Sequence, residues 1–72
     1  MQPVATDRIT IALIRKAADD LQRLQDRTSL SKTDLVNRAI TLYEFIEAHQ
    51  RAGNDLLIRN KQTGETQTIL IL

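Results

Sequence analysis

Apolar and polar residues alternate over a short stretch near the amino terminus. Ile9, Ile11 and Leu13 fall on one parity, and Arg8, Thr10 and Ala12 fall on the other. A period of two marks a strand with one covered face, so the pattern predicts a strand over Asp7–Leu13 behind a loose tail, Met1–Thr6. The period then lengthens. Ile14, Ala17, Ala18, Leu21 and Leu24 recur at helical spacing, which predicts a first helix from about Arg15 to Asp26. Its start has no Ser, Thr, Asp or Asn just before it, and Asp19 and Arg23, four apart, are expected to pair. Thr28-Ser29-Leu30 reads as a short turn. Ser31-Lys32-Thr33-Asp34 then has the form of a capping box with a short acid in place of the usual Glu. It opens a second helix that runs to about Arg51, where Gly53 supplies a left-handed stop. Beyond it the period returns to two. Leu56–Arg59 and Thr66–Leu72 are β-prone runs, and the turn residues Asn60–Glu65 between them predict a hairpin with Gly64 at a positive φ.

Two features of this pattern call for a second chain. The amino-terminal strand has no local neighbour, and an unpaired edge is a liability. A second copy would complete a two-stranded ribbon and display two copies of the Arg8/Thr10/Ala12 face across a two-fold axis. The second helix is also too apolar for one covered side: Leu35, Val36, Ala39, Ile40, Leu42, Tyr43, Phe45 and Ile46 span well over a hundred degrees of its circumference, and a helix of that kind is covered on two sides. The first helix can cover one, and a second subunit is the natural cover for the other. The expected dimer core is therefore Ile9, Ile11, Leu13, Leu35, Val36, Ala39, Ile40 and Tyr43. Chain length leads the same way. At 72 residues one small domain buries only ~60% of its unfolded surface, and such chains lean on disulfides, a metal or oligomerisation. With no cysteine and the single histidine His49, oligomerisation remains.

Charge adds a little. The net charge is +1, which by itself says nothing about nucleic acid. Its distribution is uneven: Arg8, Arg15 and Lys16 occur without an acid between them, and Arg27, Lys32 and Arg38 stand against Asp34 alone. Acid collects later, at Glu44 and Glu47. No nucleophile–base pair, glycine-rich phosphate loop or metal constellation stands out, so neither an enzyme nor a bound cofactor is expected. His49 near a helix end is read as neither ligand nor catalyst, and Tyr43 and Phe45 as packing residues. No apolar run is long enough for a membrane span and no secretory signal is read. A cytoplasmic, nucleoid-associated location is expected. The run Thr66–Leu72 has no charge and no proline. Exposed, it would be an aggregation hazard, so it is expected to pack on the helices or to serve as a docking edge.

The order of strand, helix, short turn and capped longer helix resembles the ribbon-helix-helix family of transcriptional regulators. The residues that carry the likeness are Arg8-Ile9-Thr10-Ile11-Ala12-Leu13, then Leu21 and Leu24, then Ser31-Lys32-Thr33-Asp34-Leu35-Val36-Asn37-Arg38-Ala39-Ile40, within roughly Asp7 to His49. The resemblance implies a mainly α fold with short β: an intertwined homodimer with a ribbon placed in the DNA major groove, and backbone amides at the start of the second helix touching phosphates. On this reading residues 1–6 are a tail, 7–52 the dimerisation and DNA-binding core, and 53–72 a hairpin extension to which the resemblance assigns no role. Arg8 and Thr10 are candidates for base contact, since Arg can bind guanine O6 and N7 together and Thr both donates and accepts. Ala12, at a position usually held by a long polar side chain, can touch a thymine methyl. Ser31, Lys32 and Thr33 are candidates for phosphate, because a helix amino terminus carries unpaired N–H groups and partial positive charge. Ile14 stands where the family commonly has a proline, and Ser29 where it commonly has a glycine. The function expected is a dimeric regulator of double-stranded DNA, a repressor, gaining specificity by side-by-side assembly on repeated half-sites. The alternative is an antitoxin or protein-interaction module whose carboxyl-terminal hairpin docks a partner protein.

Overall fold

Two helices are followed by a two-stranded antiparallel sheet: α1 Arg15–Thr28, α2 Lys32–Arg51, β1 Leu56–Arg59 and β2 Thr66–Ile69. A computed structural model describes residues 5–70 of the chain. The expected tail Met1–Thr6 thus falls mostly outside the described residues, as do the last two residues of the expected second hairpin strand. No helix among the described residues is long and apolar enough to cross a membrane.

Helix α1 starts as the sequence implied, without a side-chain cap. Ile14 is extended at φ −67, ψ 159 and lends only its backbone carbonyl, which accepts from the Ala18 amide at 2.9 Å. The helix ends two residues later than expected. Thr28 Oγ1 donates to the Leu24 carbonyl at 2.6 Å and accepts from the Leu30 amide at 3.3 Å, so one hydroxyl ties the last turn to the connection. Ser29 then takes the left-handed conformation at φ 59, ψ 19, and its amide donates to Gln25 O at 2.8 Å. That conformation costs a non-glycine residue ~1–2 kcal/mol. Half-buried Ala17, Leu21 and Gln25 recur every fourth position and define the covered side of α1. Arg23 pairs with Asp20 and not with Asp19; Lys16 reaches the same carboxylate at 2.9 Å, so Asp20 receives a cation from each side.

Helix α2 is capped at both ends by local chemistry. Ser31 Oγ accepts from the Asp34 amide at 3.1 Å, which satisfies one of the unpaired donors of the first turn. At the other end Gly53, at φ 91, donates to Gln50 O at 3.0 Å and Asn54 donates to His49 O at 2.9 Å. These two bonds are the double closure of a Schellman motif, which needs a left-handed residue after the cap. The hairpin forms as expected and its turn is tightly specified. Asn60 Oδ1 accepts from the amides of Gln62 and Thr63 at 2.8 and 3.2 Å, and Gly64 at φ 77 donates to Asn60 O at 2.8 Å. The register pairs Leu56 with Ile69, Leu57 with Thr68, Ile58 with Gln67 and Arg59 with Thr66.

The expected strand Asp7–Leu13 does not form within the single chain. Residues 7–14 carry no regular element: no turn folds another segment back beside them, α1 follows directly, and among the described residues the hairpin strands pair only with each other. Leu35, 7% exposed, is the buried hydrophobic residue on which the helices close. The chain exposes 7033 Å², against about 4500 Å² for a folded monomer of 8.2 kDa by surface scaling. Its radius of gyration is 15.1 Å, where about 11 Å is usual for this length.

Candidate nucleic-acid interface

Arg8, Thr10 and Ala12 are all exposed and lie on the segment that has no partner in the chain. The apolar residues between them are exposed too, Ile9 at 69%, Ile11 at 52% and Leu13 at 43%. Both parities of the alternation therefore face outward in one chain. A covered face distinct from a displayed one would exist only once something lies on Ile9, Ile11 and Leu13.

The second cluster sits at the start of α2. The first intrahelical bond runs from the Leu35 amide to Ser31 O at 3.0 Å, and Ser31 Oγ takes the Asp34 amide. The amides of Lys32 and Thr33 lie ahead of that bond and point out along the helix axis. Asp34, half-buried in the first turn, already sets a negative charge against the positive end of the helix. The charge available to an anion there comes from Lys32, which joins no ion pair among the described residues. Thr33 contributes its carbonyl to the Asn37 side chain at 2.8 Å and keeps its hydroxyl exposed. Among the described residues no hydrogen bond or ion pair joins Arg8–Ala12 to Ser31–Thr33.

The expected dimer-core residues divide in the same way. Leu35 is buried and Val36 half-buried, whereas Ala39, Ile40 and Tyr43 are exposed, Ile40 at 57%. At about 100° per residue, the apolar side chains of α2 from Phe45 round to Ile40 sweep about 220°, and α1 covers only part of that arc. Leu42 is also exposed and adjoins Ala39 and Tyr43, whereas Phe45, exposed too, lies on the other flank beside His49. Sequence reasoning counted both among the apolar side chains of this helix and read Phe45 as a packing residue, but left both out of the expected dimer core.

Two further contacts escaped sequence reasoning. The His49 ring packs on Phe45 with centroids 4.5 Å apart, and its Nδ1 lies 3.1 Å from Asn54 Nδ2. The signal was present: a Gly53 cap brings the residue after it back over His49. Asp20 was the second. Hydrogen bonds from Lys16, then Arg23, hold its carboxyl below the ordinary carboxylate value, and its spacing of four and three from those bases could have revealed it. At the far end of α2, Glu47 beside Arg51 raises the guanidinium further above its ordinary value. Compared with family models, curated proteins and solved structures, the chain matches none.

Proposed function

We propose that the chain is a homodimeric DNA-binding regulator of the ribbon-helix-helix kind, acting as a repressor. Two amino-terminal segments would pair as an antiparallel ribbon whose Arg8, Thr10 and Ala12 face enters the major groove. The observation that supports this reading is a surplus of exposed surface together with large apolar side chains left uncovered. One chain shows some 2500 Å² more surface than its mass calls for by scaling. The excess includes Ile9, Ile11 and Leu13 on one side and Ile40 and Tyr43 on the other. Interfaces of permanent dimers are of that size, and an intertwined pair would cover both sets at once. The amides of Lys32 and Thr33 and the Lys32 ammonium would then hold phosphates and fix register, while the ribbon reads bases. With so few groove-facing side chains per dimer, useful specificity calls for dimers side by side on repeated half-sites.

The test compares two variants on DNA selected by the wild type. Arg8→Ala is expected to cost roughly 1–3 kcal/mol at the selected site and to relax its sequence preference, with the dimer intact. Lys32→Ala is expected to weaken binding to all sequences alike and to flatten the salt dependence. Equal affinity of Arg8→Ala and wild type for the selected site removes the ribbon from base readout.

A further inference from the structure

The sheet leaves an open edge with an unusual composition. Edge strands are ordinarily protected by charge, proline or a bulge, and β2 has none of these: Thr66 to Leu72 contains no charged residue and no proline. The hairpin is also poorly covered. Leu56 and Ile69 are half-buried, but Leu57 is 55% and Ile58 57% exposed. Two strands alone are marginal in water, and a third strand is the usual remedy.

Register decides which groups face out. The Asn60 amide donates to Glu65 O at 2.8 Å, immediately beyond the Arg59–Thr66 pair. Antiparallel ladders alternate, so Ile58–Gln67 and Leu56–Ile69 are hydrogen-bonded pairs. The backbone N–H and C=O groups of Thr66 and Thr68 then point away from β1, onto the free edge. We infer that this edge is a self-pairing site, which takes the β2 edge of a second copy of the chain, antiparallel and centred on Thr68. Thr68 lies opposite Thr68 of the second copy and exchanges both backbone bonds with it, and Thr66 lies opposite Leu70. The match is favourable on each count. Thr–Thr is a good cross-strand pair, no like charges meet, and the product is a continuous four-stranded sheet whose inner face gathers Leu56, Ile58 and Ile69 from both copies. The site is separate from the amino-terminal ribbon and does not rest on it. If both exist, the edge joins ribbon dimers into a larger unit with a two-fold at each contact.

Sedimentation of full-length variants tests this. The Thr68 N–H is unused inside the hairpin, so Thr68→Pro blocks the edge while leaving the β1–β2 bonds in place. Thr68→Pro is expected to sediment at half the wild-type mass or less, with helical circular dichroism unchanged. Thr68→Lys and Thr68→Glu are each expected to raise the association constant's reciprocal several-fold, and an equal mixture of the two to bind more tightly than either alone. Wild-type mass for Thr68→Pro, or a Lys/Glu mixture no tighter than its components, overturns the proposal. Ile11→Lys separates the two contacts: it removes any ribbon step and leaves the Thr68-dependent step in place. Loss of the ribbon reading therefore does not imitate loss of this one.

Discussion

The two β-prone ends of this chain meet opposite fates. Residues 7–13 and 56–69 both show short runs of Ile, Leu and Thr, yet the carboxyl-terminal run folds on itself and the amino-terminal run does not. The difference lies in what separates the two halves of each. Between β1 and β2 stand Asn60, whose side chain holds two amides of the turn, and Gly64, which adopts φ 77. Residues 7–13 have no such turn; α1 follows them directly. A strand needs a neighbour, and local sequence decides only whether the neighbour can come from nearby. Where it cannot, the apolar side chains stay exposed, as Ile9, Ile11 and Leu13 do here.

The largest expected effect breaks the amino-terminal side of this comparison. Ile11→Lys puts a charge on the face that a second copy would cover, forfeiting ~1.5–3 kcal/mol per copy for the lost Ile burial, plus the desolvation of the ammonium. Self-association through the ribbon is expected to vanish at micromolar concentration in sedimentation equilibrium, and an unchanged mass would return Ile11 to a solvent role. Gly64→Ala attacks the other side. A Cβ there meets nothing within 4 Å, so the penalty is the left-handed backbone alone, ~1–2 kcal/mol. Amide exchange in β1 and β2 should accelerate while α1 and α2 keep their protection; unaltered hairpin exchange would show that the turn does not set the fold of this end.

Ser29→Gly sharpens the contrast between the two left-handed positions. Ser29 holds φ 59 without the freedom Gly64 has. Relieving it should stabilise the chain by ~0.5–1 kcal/mol, the backbone strain less the extra freedom glycine has when unfolded. A lower melting temperature would mean that the serine side chain contributes more than its backbone costs. The smallest effect is at Asp20, an exposed group. Its folded-state carboxyl titrates below its unfolded value because Lys16 and Arg23 donate to it. The stability it contributes is therefore present above the ordinary carboxylate range, near pH 4, and is lost as pH falls through the lower folded value. Asp20→Asn should remove only that part of the acid dependence of α1 helicity; an identical acid profile in wild type and variant would assign the dependence elsewhere.

Local signals were fully legible. The Ser31 cap, the Gly53 stop, the Asn60–Gly64 turn and the period of each helix are written in neighbouring residues, because each rests on bonds spanning only a few positions. The left-handed demand on Ser29 was signalled only through the resemblance, which commonly has a glycine at that place. The end of α1 was read two residues early because the Thr28 hydroxyl bonds at both ends, and a residue type alone does not announce that. Arg23 was assigned to Asp19 by spacing of four, whereas Arg23 bonds Asp20, three residues away, which Lys16 also reaches.

The alternation of Ile9, Ile11 and Leu13, the helical periods and the caps were determined by the sequence on its own, since backbone geometry and hydrogen-bond reach act over a turn or two. Only the tertiary structure decided which apolar residues one chain can hide: Leu35 deeply, Val36 and Leu21 in part, and Ile11, Ile40 and Tyr43 hardly at all. Burial depends on how much surface the remaining elements can lay over each position, and two helices with one small hairpin are too few to enclose them.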